Sequence, residues 1–190
     1  RSMRKVLQLL SVVVVGIAVA LMLISPELVL IFGSPKYREA VYVIPPVAAS
    51  VFFIFIYNIL SMPQFYYEKT QFLMAASMAA AGANVVLNFI FIRLFGYIAA
   101  GYTTLACYML YSVGHYIVSK RILVNEGIQE NLMNPGFLLA CSVFLIGASI
   151  ICNLIFPYRI LRYAILLASA GLVFWKKELL LKTMADIRKK

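Results

Sequence analysis

One apolar stretch of the chain carries a stripe of polar side chains that could bind a polar ligand. At spacings of three and four residues stand Gly101, Thr104, Tyr108, Tyr111 and His115. On a helix these positions share one face, so two phenols and an imidazole come together. In a membrane such a face looks toward other helices or toward a water-filled path. The stripe predicts either interhelical hydrogen bonds or a cavity whose tyrosines stack on sugar rings, with proton coupling at His115 as a third possibility.

A second candidate surface lies in the preceding apolar stretch, where small and amide side chains recur at intervals of four residues. This face comprises Phe72, Ala76, Ala80, Asn84 and Asn88, beside a ridge of Ala75, Ala79 and Ala83. Small residues at this spacing let helices approach closely, and asparagines hydrogen-bond across the contact. The pattern favours helix–helix packing, or a hydrated cavity in which Asn84 and Asn88 bind hydroxyls or phosphate oxygens.

The sequence is poor in the residues that acid–base catalysis needs. The chain has a single histidine, and we expect none of its seven acidic residues inside a membrane span. The three cysteines all fall in apolar runs without metal-ligand spacing, so we interpret them as buried hydrophobes. We therefore expect no enzyme activity, no metal site and no cofactor.

The composition identifies the class of protein. Of the 190 residues, 64% are hydrophobic and only 13% are charged. Soluble domains are about 45–50% apolar and about 25% charged. Soluble enzymes, disulfide scaffolds and disordered segments are thus excluded. The net charge of +10 comes from basic clusters that flank apolar runs, which argues against nucleic acid as a partner.

About six stretches are long and apolar enough to predict an all-α integral membrane protein. They cover about 6–25, 40–62, 72–94, 97–118, 136–156 and 160–175. The prolines and glycine of 26–39 predict a separate short helix at the membrane surface. The first stretch begins with basic residues, as a signal peptide does. Its apolar run, however, is longer than the apolar region of a signal peptide.

Basic residues predict the orientation of these spans. Twelve of the 17 lysines and arginines fall on the side of the N-terminus. By the positive-inside rule, both termini are cytoplasmic. The segment 176–190 then forms a basic cytoplasmic tail. Arg93 lies near the opposite surface, where it either snorkels to lipid headgroups or attracts a pyrophosphate.

The order of several motifs resembles a known family. An apolar span is followed by PELVLIFGSPKYREA at 26–40, and the next span ends in a loop with Glu68-Lys69-Thr70. Then come Asn84-x-x-x-Asn88 and the span start GYIAAGYTT at 96–104. This arrangement resembles the C-terminal part of bacterial polysaccharide flippases (O-antigen and exopolysaccharide translocases) of the multidrug/oligosaccharidyl-lipid/polysaccharide exporter superfamily. The span start departs from the family pattern, because Ala99-Ala100 precedes Gly101.

The resemblance implies a division of the chain and a function. Residues 1–121 resemble four helices of the flippase C-terminal region, and 122–175 add two further helices of a 14-span protein. The implied activity is movement of a polyprenyl-pyrophosphate glycan across the bacterial inner membrane by alternating access, for surface polysaccharide synthesis. The implied partners are this glycan, membrane lipids, a polysaccharide polymerase or synthase, and the preceding helices of a full-length flippase.

The same resemblance implies a set of site residues. The cavity candidates are Asn84, Asn88, Tyr108, Tyr111 and His115, and the candidates for an inner loop or gate are Glu68 and Lys69. Two alternatives stay open. One is a drug or ion antiporter of the same superfamily, which should carry an acid in a span. The other is a non-transporting membrane partner of a polysaccharide synthase.

Overall fold

The computed structural model describes residues 2–33, 35–128 and 131–175, and every regular element in these ranges is a helix. Its elements are α1 (Ser2–Phe32), a 3-10 segment (Pro35–Val43), α2 (Ile44–Tyr66), α3 (Gln71–Phe95), α4 (Ala99–Asn125), α5 (Pro135–Ile155) and α6 (Arg159–Trp175). The all-α class predicted from the sequence is therefore confirmed. The basic tail predicted at 176–190 lies outside the described residues.

Four helical stretches are long and apolar enough to cross a membrane. They are Met3–Phe32, Lys36–Tyr66, Gln71–Phe95 and Pro135–Ile155. Helix α4 carries the polar stripe, and α6 has only 17 residues. A membrane-embedded protein is thus supported, while the count of six spans and their orientation stay predictions.

Helix α2 forms the centre of the bundle and packs on α1, α4 and α5. Its buried side includes Phe52, Phe53, Ile56 and Leu60, which belong to one hydrophobic core with Leu145 of α5. The start of α2 fits the sequence, because Pro45 and Pro46 occupy the first helical turn, where a missing N–H costs nothing. The division of the chain between residues 121 and 122, which the family resemblance implies, falls inside α4. The hydrophobic core contains residues from both sides of that position.

The predicted break after residue 25 is wrong, because α1 continues through Pro26 to Phe32. A proline inside a helix leaves the carbonyl four residues earlier without its usual donor. Here the Ser25 hydroxyl donates to that carbonyl, Met22 O, at 2.8 Å. Arg162 of α6 donates to the next carbonyl, Leu23 O, at 2.8 Å. The Ser25 hydroxyl thus replaces the backbone donor that Pro26 lacks, as membrane helices permit.

Contacts between elements define two ends of the bundle. At one end, which we call the Glu27 end, Tyr97 donates to Glu39 and Asn153 donates to Tyr102. At the opposite, Lys69 end, the turn between α2 and α3 meets the end of α4. Successive helices therefore alternate in direction, and each interhelical seam runs between these two ends.

Candidate functional site

Helix α4 positions the candidate residues, because it packs against both α2 and α3. Gly101, the first residue of the polar stripe, is buried against the start of α2. A Cβ atom placed on Gly101 would lie 2.8 Å from Pro46 Cγ and 3.0 Å from Val43 O. The glycine is therefore what lets the two helices approach, and it sets the position of the stripe beyond it.

Polar side chains of α3 and α4 form a hydrogen-bonded group that we call the amide cluster: Asn84, Asn88, Thr103 and Thr104. Asn88 Nδ2 donates to Asn84 Oδ1 at 2.9 Å, and Asn84 Nδ2 donates to Thr104 Oγ1 at 3.5 Å. The Thr103 hydroxyl donates to Asn88 Oδ1. Each of the four side chains finds a partner within the group. The arrangement links α3 to α4 in the manner of interhelical packing.

The amide cluster belongs to the face of α3 that the sequence singled out. Every fourth residue from Phe72 to Asn88 is half-buried, whereas the neighbouring ridge of Ala75, Ala79 and Ala83 is exposed. No residue of α3 is fully buried. This helix therefore packs on one side alone and leaves its small-residue ridge open.

Rings from three helices form a second group, the aromatic cluster: Tyr57, Phe72, Tyr108, Tyr111 and His115. Tyr57 of α2 lies at its centre, with ring centroids 4.7 Å from Tyr111, 5.8 Å from His115 and 6.3 Å from Tyr108. The Tyr57 and Tyr108 planes are nearly parallel, at 7°. All three tyrosines are part-exposed, so part of this ring surface lies at the outside of the bundle.

His115 lies behind these tyrosines and is fully buried together with Gln64 of α2. Gln64 Nε2 lies 2.8 Å from His115 Nδ1. Because an amide nitrogen can only donate, Nδ1 is the acceptor and the ring proton sits on Nε2. That Nε2 atom, Gln64 Oε1 and the Ser119 hydroxyl have no partner among the described residues. Buried polar atoms are nearly always paired, so this end of α4 has unused hydrogen-bonding capacity.

The remaining tyrosine contact ties the cluster to α3. The Ser77 hydroxyl lies 2.6 Å from the Tyr111 hydroxyl. The structure thus brings Tyr108, Tyr111 and His115 together, and Asn84 and Asn88 bond each other on the same α3–α4 seam. The role of these five residues as a cavity lining stays a prediction.

Glu68 and Lys69 form the turn between α2 and α3. Glu68 has a φ of 57°, and the N–H of Lys69 donates to Gln64 O at 2.8 Å, which closes a Schellman cap. Lys69 Nζ lies 3.5 Å from Glu126 Oε1 at the end of α4. This ion pair is half-exposed, so it contributes little to stability and can open at low cost.

Sequence reasoning missed Tyr57 and Gln64, the α2 residues of the site. A usable signal was present, because positions seven apart lie on the same helix face. Their neighbour Asn58, the more conspicuous polar residue, instead donates to Ile54 O of its own helix and is exposed.

The sequence also missed the ion pair of Glu27 with the buried Arg162, and it assigned Glu27 to a separate short helix after the first span. Glu27 lies inside α1 and receives two bonds from Arg162 of α6, at 2.9 and 2.8 Å. Tyr163 donates to the same carboxylate at 2.8 Å. Arg162 thus neutralises the carboxylate charge of Glu27 near the end of α1.

Comparison with known proteins adds no family. No protein-family model matches the chain, and neither any curated protein nor any solved structure is similar to it. The grounds for assigning a function are thus the chemistry of the two clusters and the order of the sequence motifs.

Proposed function

We propose that this chain takes part in moving a lipid-linked oligosaccharide across a bacterial inner membrane by alternating access. The proposal rests first on the sequence resemblance to polysaccharide flippases. One structural observation supports it: part-exposed tyrosines of α2 and α4 form a ring surface within an otherwise apolar bundle. Such a surface suits sugar rings, which present apolar faces and hydroxyls at once.

Each part of the aromatic cluster has a task in this proposal. Tyr57, Tyr108 and Tyr111 contact the glycan, by ring stacking and through their hydroxyls. His115 and Gln64 are fully buried, so they position the tyrosines and do not touch the glycan. The polyprenyl tail stays in the bilayer beside the apolar helices. The movement needs no covalent chemistry, since binding and release on opposite sides suffice.

The test is the leaflet location of lipid-linked glycans in cells that lack the gene. Restoring the wild-type gene should return glycans from the cytoplasmic to the outer leaflet. Restoring the Tyr111→Leu variant should slow this return by about tenfold, because a ring contact and a hydroxyl bond are lost. The matched control is Tyr116→Leu on the same helix, which lines an apolar cavity of about 260 Å³ between α2, α4 and α5.

The outcomes separate the candidates. Normal glycan distribution in the deletion cells, with no second flippase expressed, would overturn the proposal. Equal slowing by Tyr111→Leu and Tyr116→Leu would remove the glycan-contact role of the aromatic cluster.

The antiporter alternative is favoured by one observation, the acid inside α1. Glu27 belongs to an apolar helix that is long enough to cross a membrane, and cation coupling in such a helix uses an acid. Its bidentate bond to Arg162 argues for a structural role in this conformation. Drug resistance that is lost in Glu27→Gln, with glycan location unchanged, would put the antiporter first.

A further inference from the structure

A cavity of about 200 Å³ opens at the Glu27 end, away from both clusters. Its walls come from α1, the 3-10 segment and α6. Three arginines line it, Arg38, Arg159 and Arg162, together with Glu27 and apolar side chains of α1.

The charges of this cavity do not balance. Glu27 is fully engaged by Arg162, which accounts for one arginine. Arg38 and Arg159 form no ion pair with any described residue and are exposed. Arg162 is only 3% exposed, yet its Nε atom has no hydrogen-bond partner among the described residues. The lining therefore carries two uncompensated positive charges and one buried, unpaired donor.

The backbone adds to this positive potential. Arg159 is the first residue of α6, a helix of 17 residues. The first N–H groups of a helix lack intrahelical acceptors and carry a partial positive charge. An anion in the cavity would therefore meet guanidinium groups and the start of α6 together.

We propose that this cavity binds the phosphate group of an anionic membrane lipid. Guanidinium groups match phosphate oxygens in geometry as well as charge. The apolar part of the lining, which includes Val29 and Leu30, suits the glycerol and first methylenes of a lipid. The position at one end of the apolar helices is where headgroups lie in a bilayer. This inference does not depend on the proposed transport function.

The experiment is native mass spectrometry of the full chain in detergent, with phosphatidylglycerol or phosphate-free diacylglycerol added. The wild type should retain phosphatidylglycerol and not diacylglycerol. The double variant Arg38→Gln with Arg159→Gln should weaken phosphatidylglycerol binding by about tenfold or more, because two charge-assisted contacts are lost. Sodium phosphate without lipid forms the second arm and tests a free anion as the source.

The matched control is Arg93→Gln, which removes an arginine from the same end of the bundle. The Arg93 guanidinium lies over the Phe89 ring at 3.9 Å, outside the cavity, so lipid binding should persist. Equal loss in Arg93→Gln would show a general charge effect and overturn the proposal. Retention of inorganic phosphate with no preference for phosphatidylglycerol would overturn the lipid assignment.

A second variant separates binding from folding. The lysine pair, Arg38→Lys with Arg159→Lys, keeps the charge but loses the bidentate geometry. Binding by this variant should fall between the wild type and the glutamine pair, with all three melting at similar temperatures. Undiminished binding by the glutamine pair would overturn the site.

Discussion

The amide cluster and the aromatic cluster occupy neighbouring stretches of α4 but satisfy their polar atoms differently. In the amide cluster, each asparagine and threonine finds a partner on α3 or α4. In the aromatic cluster, His115 Nε2 and its neighbour Gln64 Oε1 find none among the described residues. The side chains of the first group bond one another, whereas the second group contains buried polar atoms without a partner among the described residues.

This difference indicates different roles for the asparagines and the tyrosines, which the sequence alone predicts as one set of cavity residues. Hydrogen bonds between two helices hold those helices together. Part-exposed tyrosines offer a ligand their rings and hydroxyls, while the unpaired atoms of His115 and Gln64 are buried behind them. We accordingly interpret Asn84 and Asn88 as packing residues, and Tyr57, Tyr108 and Tyr111 as ligand contacts.

The largest expected effect is at Gly101, where one substitution should break both clusters together. Gly101→Ala places a methyl group 2.8 Å from Pro46 Cγ and moves α4 away from α2. We expect the free energy of unfolding in mixed detergent–SDS micelles to fall by about 3 kcal/mol. Gly82→Ala is the control, since nothing lies within 4 Å of its added Cβ, and stability should not fall. An unchanged Gly101→Ala protein would contradict the close approach.

The next effect tests the unpaired atoms of the aromatic cluster. Gln64→Leu leaves His115 Nδ1 buried without a donor and should cost about 2 kcal/mol of unfolding free energy. Adding His115→Leu removes the whole pair, including both unpaired atoms, and should recover most of that loss. The measurement is a double-mutant cycle of unfolding free energies. Additive losses would show that the two side chains do not interact.

The smallest effect tests the amide cluster. Asn88→Leu removes the bonds to Asn84 and Thr103 and should cost about 1 kcal/mol, the scale of interhelical hydrogen bonds in membranes. Asn58→Leu is the matched control, because its amide bonds only its own helix and is exposed. The same unfolding assay should show little change for this control. Glycan movement should stay normal in any Asn88→Leu protein that folds, and slowing there would return Asn88 to the binding surface.

Sequence patterns predicted the helices well because apolar length and polar breaks are local signals. The stretch predicted at 72–94 corresponds to the helix Gln71–Phe95, and the stretch predicted at 136–156 corresponds to the helix Pro135–Ile155. The predicted break at Pro26 was wrong because the preceding residue, Ser25, bonds the carbonyl that the proline leaves without a donor. The rule that proline ends a helix takes no account of such a side-chain bond.

The sequence predicted which residues of the candidate site share a helix face, but not which residues of other helices contact that face. Helical spacing brought Tyr108, Tyr111 and His115 onto one side of α4, as the sequence indicated. Spacing within one helix cannot say which neighbour meets that side, so Tyr57 and Gln64 went unnoticed. The same limit applies to Asn84 and Asn88, whose threonine partners belong to the next helix.

The one-sided packing of α3 has a consequence for how the chain assembles. Helix α3 has no fully buried residue, and its main packing partner is α4, the helix that comes after it in the chain. When α3 is synthesised, the surface that will receive it does not yet exist. Its asparagines must wait for their threonine partners until α4 has entered the bilayer and docked on α2. The α3–α4 contacts therefore form only after α4 has been made, and a chain that ends before α4 leaves the amides of α3 without their threonine partners.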